Sequence, residues 1–422
     1  MPARPAPGRA RRFAWRLINY VERKARGARR RLLPVLPARG PIVPEGLTPE
    51  VVLYFAEVPA RLYQVAQWLA PMERLAADRP VAIVVRRVRT YDALVERTSL
   101  PVIYVPLYSQ LLACYDALDP KVVVYVNHGM RNFQSLTLRT AMHVHVNHGE
   151  SDKLSSFSNQ AKAYDRVFVA GELAAERYLR RLLDFDERRV VRVGRPQLDL
   201  LPAPVLPASP RRTVLYAPTW QGESEDNNWC SVDVLGEEIV RQLLLVPDVR
   251  VAYKPHPRVP RSLVPEVARG HEAILGLLTA AAAADPAAGH GHIDSEGDIL
   301  GVLPSVDALV TDVSSVALDF LYLRSTSPMF LTDRRNDPIA LAVATPLAEA
   351  ADVVDVATVH RLGALVASRL EADLRLGERM ALRGRYFGAL GPGDSTVRFL
   401  AAVGELCAAR DRRFQTSPGQ LV

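Results

Sequence analysis

Cysteine is nearly absent: Cys114, Cys230 and Cys407 are the only three in 422 residues, and they share no ligand-like spacing. That excludes a disulfide framework or structural zinc site and points to a reducing compartment. No apolar run reaches the roughly 18–20 residues needed to span a bilayer. The longest, around Ile274–Ala284, is alanine-rich and reads as a helix or surface insertion. The basic N-terminus is not followed by an apolar segment, so no signal peptide is expected. GxGxxG, Walker and GxSxG motifs are missing as well. Asp294, Glu296 and Asp298 lack the other ligands of a calcium loop, and His290 and His292 sit in a glycine-rich stretch read as surface loop. No metal or cofactor is expected.

Lysine is scarce too. Among 53 Lys and Arg residues only Lys24, Lys121, Lys153, Lys162 and Lys254 are lysine. The two cations are not interchangeable, so lysines kept in so arginine-rich a chain mark positions that call for a compact ammonium. The net charge of +7 is a property of one end. Residues 1–40 hold twelve cations and the single acid Glu22, or +11, leaving −4 for the rest. Basicity confined to a tail argues against a nucleic-acid binder, whose folded body would carry it. Within Arg4–Arg31, Phe13, Leu17 and Tyr20/Val21 fall on one helical side. A basic amphipathic helix of this kind suits an anionic membrane surface, each cation contributing about 1 kcal/mol there. Pro34, Pro37, Pro41 and Pro44 follow as a linker.

From residue 51 short β-branched runs alternate with helical stretches, which predicts an α/β fold with parallel sheets covered on both faces. Strands are expected at Val51–Phe55, Val81–Val85, Val102–Val105, Val122–Val126, His143–Val146, Arg166–Val169 and Val190–Val193, with helices such as Arg61–Leu75 and Leu173–Leu183 between them. Five prolines in Pro196–Pro210 suggest an interdomain linker. A second series follows: strands Thr213–Ala217, Val249–Tyr253, Ala308–Thr311 and Met329–Leu331, helices Leu235–Leu245 and Val316–Leu323, and a variable loop over 279–292. The expected division is a tail and linker (1–45), a Rossmann-like N-terminal domain (46–205) and a Rossmann-like C-terminal domain (206–422), with a cleft between the two domains. Val124-Tyr-Val-Asn-His-Gly129 recurs as Val144-His-Val-Asn-His-Gly149, which reads as two neighbouring strands ending at one rim.

In open parallel sheets ligands bind beyond the carboxyl ends of strands, and four segments fall there. His148-Gly-Glu-Ser-Asp-Lys153 offers an imidazole able to take a proton from an alcohol, a glycine permitting close approach at Gly149, and a cation at Lys153. In Lys254-Pro-His-Pro-Arg258 two prolines stiffen the backbone around His256, while Lys254 and Arg258 suit a departing phosphate. Thr311-Asp-Val-Ser-Ser315 opens a helix, where hydroxyls and free N–H groups bind anions, although Ser314 or Ser315 also suits plain capping. In Tyr216-Ala-Pro-Thr-Trp220 the Thr219 hydroxyl could serve a phosphate, but a Pro-ended strand followed by a packed Trp is the stronger reading.

In chain order (148–153, 216–220, 254–258 and 311–322) the four segments resemble the CDP-glycerol glycerophosphotransferase family, the primases and polymerases of teichoic-acid-like polymers. The resemblance spans roughly 120–400 and includes Thr311-Asp-Val-Ser-Ser-Val-Ala-Leu-Asp-Phe-Leu-Tyr322 and Arg385-Tyr-Phe-Gly388. It implies a GT-B fold and peripheral attachment to the cytoplasmic face of the cell membrane. It further implies transfer of glycerol phosphate from CDP-glycerol, or a related CDP-polyol, to a lipid-linked or polymer acceptor, releasing CMP. Carried over, His148 matches the family's base and His256 its second histidine, near the pyrophosphate. Lys254, Arg258, Asp312, Ser314 and Ser315 match the donor-phosphate segments. Asp319, with Gly149, Lys153 and Thr219, is a further candidate for substrate contact. Glu150 and Asp152 depart from the family pattern and bear on the acceptor. Two other readings stand beside this one: a GT-B glycosyltransferase using a nucleotide sugar, and a non-catalytic protein binding a membrane surface.

Overall fold

The computed structural model describes residues 40–153, 156–294 and 298–416. The basic tail, Pro34, Pro37 and Glu296 lie outside these. The described residues form two compact units, one made of 40–150, 156–201 and 383–416, the other of 151–153, 202–294 and 298–382.

The first unit is built on a seven-stranded sheet of β1 (Val51–Phe55), β2 (Val81–Val85), β3 (Val102–Tyr104), β4 (Val122–Tyr125), β5 (Met142–His145), β6 (Arg166–Val169) and β7 (Val190–Arg192). Its order is β3-β2-β1-β4-β5-β6-β7, parallel throughout. Val-rich runs such as Val51-Val-Leu-Tyr-Phe55 are buried at every residue, because helices cover both faces of the sheet. The predicted helix Arg61–Leu75 is instead two pieces, Tyr63–Ala66 and Leu69–Ala76. Pro71 accounts for the break: in a continuous helix its ring would collide with the carbonyl four residues back, so it sits in a fresh first turn.

The second unit holds β8 (Arg212–Ala217), β9 (Val249–Tyr253), β10 (Gly291–His292), β11 (Ala308–Thr311), β12 (Met329–Thr332) and β13 (Asp352–Val354). The order β10-β9-β8-β11-β12-β13, again all parallel, repeats the first sheet's pattern with one strand fewer. In both sheets the order reverses between the first and fourth strands, the switch point where open α/β sheets bind ligands. The expectation of two Rossmann-type units of GT-B-like class therefore holds.

Three expectations change. Residues 279–292 are not a variable loop: alanine is the strongest helix former, and helix Pro265–Ala284 runs through the alanines before edge strand β10. Its buried Val267, His271, Ile274 and Leu278 recur at helical spacing. Residues 196–199, expected in a linker, are a helical turn of the first unit with Pro196, Gln197 and Leu198 buried.

The third change concerns the C-terminus. Residues 383–416 return to the first unit, where helix Asp394–Thr416 buries Phe399, Ala402, Val403, Leu406 and Cys407 in the core that holds β1 and β4. Asp199 accepts from Thr396 N at 2.7 Å, and Lys121 meets Asp411 at 2.6 Å. Gly171 is part of this closure, since a Cβ there would overlap the Tyr386 carbonyl. Gly171→Ala should therefore destabilise the protein by about 1–3 kcal/mol, the usual cost of overpacking, as read by chemical denaturation. An unchanged midpoint would mean that residues 383–416 do not pack there.

Candidate functional site

His148 lies three residues beyond β5 on the first unit. The preceding Asn147 has φ 54°, a left-handed conformation that asparagine tolerates. Its side-chain Oδ1 accepts from His148 N at 2.9 Å, and its carbonyl accepts from Trp68 Nε1 at 2.6 Å. A locked turn thus presents the imidazole, half-buried, with Tyr63 edge-on at 5.9 Å. The sequence echo has a geometric origin. β4 and β5 pair with an offset of twenty residues, Val124 opposite Val144 and Tyr125 opposite His145, the same offset as the repeat. The copies diverge in role. His128 stacks on the fully buried His145 at 4.0 Å. Burial pushes His128 down to about 4 and His145 well below the ordinary histidine value, so both are neutral near pH 7. Gly149 is buried beside His148, and Glu150 is held in an ion pair by Arg177.

On the second unit the switch point carries a buried carboxylate. Asp312, just beyond β11, is fully buried, and burial raises its pKa. Its Oδ2 accepts from Thr219 N at 2.7 Å and Ser231 N at 3.3 Å, and its Oδ1 accepts from Thr332 Oγ1 at 2.5 Å. It therefore ties together the ends of β8, β11 and β12. Lys153 belongs to this cluster and donates from Nζ to Thr219 Oγ1 at 2.7 Å. Burial lowers the lysine to about 8 while nearby Asp312 opposes the shift. Asp152 is bound in turn by Thr345 Oγ1 at 2.6 Å. Lys153, Thr219 and Asp312, predicted separately, are thus one bonded group. Ser231 and Thr332 do not stand out in the sequence, where each is one hydroxyl among many.

Ser314 is the N-cap of helix Ser315–Leu323, yet its side chain makes no capping bond. The helix thus starts without a side-chain cap from Ser314, the kind of N-terminus whose N–H groups can bind an anion. Ser315 opens the helix, and Asp319 is buried within it. Beyond β9, Lys254 donates to the Asp294 carbonyl at 2.7 Å and is lowered by burial to about 8. His256 N donates to the Pro218 carbonyl at 3.1 Å. Its Nδ1 accepts from Arg258 N at 3.2 Å, which in the neutral ring leaves the proton on Nε2, a donor suited to a phosphate oxygen. The Arg258 guanidinium lies 4.0 Å above the Trp220 ring. The packed-Trp reading of the segment after β8 therefore holds, while the Thr219 hydroxyl is engaged by Lys153. Among the described residues no three His, Cys, Asp or Glu side chains gather as a metal set.

Residues 81–332 match the family described as CDP-Glycerol:Poly(glycerophosphate) glycerophosphotransferase. No curated protein sequence matches. Among solved structures, a variant of the wall teichoic acid polymerase TagF soaked with CDPG is similar, with TM-score 0.56 and 13% identity over 86% of this chain and 90% of that one. S. aureus MnaA with UDP has TM-score 0.53 and 15% identity over 82% and 93%. A glycosyltransferase from Rickettsia africae has TM-score 0.51 and 11% identity over 84% and 98%.

Two outcomes follow from the buried cluster. Asp312→Ala strands two backbone N–H groups and leaves the Lys153 charge unopposed, so it should cost about 3–5 kcal/mol in denaturant unfolding. A loss below about 1 kcal/mol, the level of an exposed ion pair, would contradict the bonding described. The second outcome concerns pH. Between about 8 and the ordinary lysine value of 10.5, the unfolded chain keeps a proton that native Lys153 has shed. Stability from this group therefore rises with pH across that window, by at most about 1.4 kcal/mol per pH unit. Lys153→Met should remove that contribution from the slope, measured by urea unfolding at pH 8, 9 and 10.

Proposed function

Because the chain belongs to the CDP-glycerol:poly(glycerophosphate) glycerophosphotransferase family, and is an enzyme of that type, we propose that it transfers glycerol phosphate from CDP-glycerol to a hydroxyl of a membrane-linked acceptor in the synthesis of a teichoic-acid-like polymer. In this reading His148 takes the proton of the acceptor hydroxyl, and the oxygen attacks the β-phosphorus of the donor. The bond from that phosphorus to the bridging oxygen breaks, CMP leaves, and a phosphodiester joins glycerol to the acceptor. The second unit binds the donor. Ser314, Ser315 and the N-terminus of their helix take phosphate oxygens, and His256 Nε2, Lys254 and Arg258 offset charge on the departing nucleotide. Asp312, Thr219 and Lys153 hold the strand ends that carry these groups. Gly149 leaves room for the acceptor, and Asp319 is a further candidate for donor contact. The enzyme works at the inner face of the membrane, where its acceptor lies, and nucleic acid is not a partner.

The observation that carries this reading is the uncapped helix N-terminus after β11, which leaves anion-binding groups at the switch point of the second sheet. It is tested with purified protein, CDP-glycerol and a soluble acceptor. Released CMP is followed, and the product linkage separates a phosphodiester from the glycosidic bond of a nucleotide-sugar enzyme. His148→Ala should lower turnover by about 10²–10⁴ while CDP-glycerol affinity is retained. Lys254→Ala should weaken CDP-glycerol binding. Full turnover by His148→Ala would end the assignment of the base.

A further inference from the structure

Gln197 of the first unit is 2% exposed, and neither its Oε1 nor its Nε2 has a hydrogen-bond partner among the described residues. A buried amide in that condition costs stability unless something else takes up its donor and acceptor. The backbone around it is fixed. Gly194 turns with φ 81°, a left-handed conformation, and leads into the helical turn Pro196–Asp199 that carries Gln197. Asp199 accepts from Thr396 N at 2.7 Å and from Thr396 Oγ1 at 3.1 Å, which pins that turn and holds the amide inside.

A small cavity supplies the second observation. It lies at the carboxyl ends of β5, β6 and β7 and is lined by Gly149, Glu150, Ala170, Gly194, Arg195 and Gln197. Its volume is about 10 Å³, the room of one water-sized group. Trp68 also lines it, and the Trp68 indole holds the Asn147 carbonyl, so the cavity adjoins the turn that presents His148. The polar groups around it are of mixed kind. Gln197 both donates and accepts, and Arg195, 4% exposed, donates. The Glu150 carboxylate accepts, from Ala170 N at 3.4 Å and from its ion-pair partner Arg177. A phosphate oxygen would leave Gln197 Oε1 unmet and face Glu150, and an ammonium would leave Nε2 unmet and face Arg195. A hydroxyl donates, accepts and fits the volume.

We propose that this cavity is an acceptor subsite that seats one hydroxyl of a polyol, the neighbour of the hydroxyl that attacks. The seated hydroxyl bonds the Gln197 amide, and Glu150 and Arg195 complete its donor and acceptor needs. Because Gly149 directly follows His148, a hydroxyl held here leaves the next one along the polyol at the base. The substrate class is therefore an acceptor ending in a vicinal diol, not a lone alcohol. This rests on the reading of His148 as the group that meets the acceptor.

The test measures equilibrium binding to the full chain without donor, so it does not depend on transfer chemistry. Its probes are two soluble acceptors, one ending in glycerol phosphate and one in 1,3-propanediol phosphate, which lacks the middle hydroxyl. The parent should bind the glycerol-ended acceptor about tenfold or more tightly, since a site built to bond a hydroxyl rejects the analogue without it. In Gln197→Leu and in Gln197→Met the two acceptors should bind equally. The urea midpoint of these variants should stay at or above the parent's, because no hydrogen bond within the protein is lost. A purely structural role, through a trapped water, would lower the midpoint and leave the preference intact. That result, or a parent that binds both acceptors alike, would overturn the proposal. A parent that prefers the glycerol end yet releases no CMP from CDP-glycerol would support this subsite and count against the transfer reading.

Discussion

Removing a carboxylate from water is costly unless donors surround it, and the second unit is organised around meeting that requirement at Asp312. Two backbone N–H groups, the Thr332 hydroxyl and the nearby Lys153 ammonium address one side chain with no solvent contact. Three adjacent parallel strands, β8, β11 and β12, end at this point, and their positions relative to one another are set by it. The groups assigned to the donor lie directly after these strands or after β9. A carboxylate with no solvent contact thus bears on how the segments after these strands are placed. The energetic stake is high because a half-satisfied buried network is worse than an apolar core.

The first unit uses a different device. Two copies of one short pattern occupy neighbouring strands in a register equal to their separation in sequence, and so deliver two histidines to one rim. One copy is drawn inward, with His128 stacked on His145 and held neutral by burial. The other turns through a left-handed asparagine and keeps His148 at the surface of the rim. Identical Asn-His-Gly triplets are therefore placed in different environments by backbone conformation and burial.

Much of this is legible in the residues. Buried parallel strands read as unbroken Val- and Ile-rich runs, so most elements of both sheets can be picked out of the chain by pattern alone. The four motif segments can be placed at strand ends because a polar cluster after such a run has nowhere else to go. What escapes the pattern does so for physical reasons. Pro71 splits a helix whose apolar spacing looks continuous, and alanine propensity carries a helix through what resembles a loop. Edge strands β10 and β13 are two and three residues long, too short for a periodic signal.

By itself, the order of residues determined the α/β class, the two-unit plan, the family and a list of candidate side chains, because each depends on local pattern. Tertiary structure alone decided which of those side chains act together and which are buried supports. Lys153 lies 66 residues before Thr219 in the chain, and Asp312 another 93 beyond it. Only folding brings them within bonding distance, and only burial then shifts their proton affinities. The return of the last helix to the first sheet is of the same kind. An apolar stripe says that a helix must be covered, and the shape of the rest of the molecule decides where.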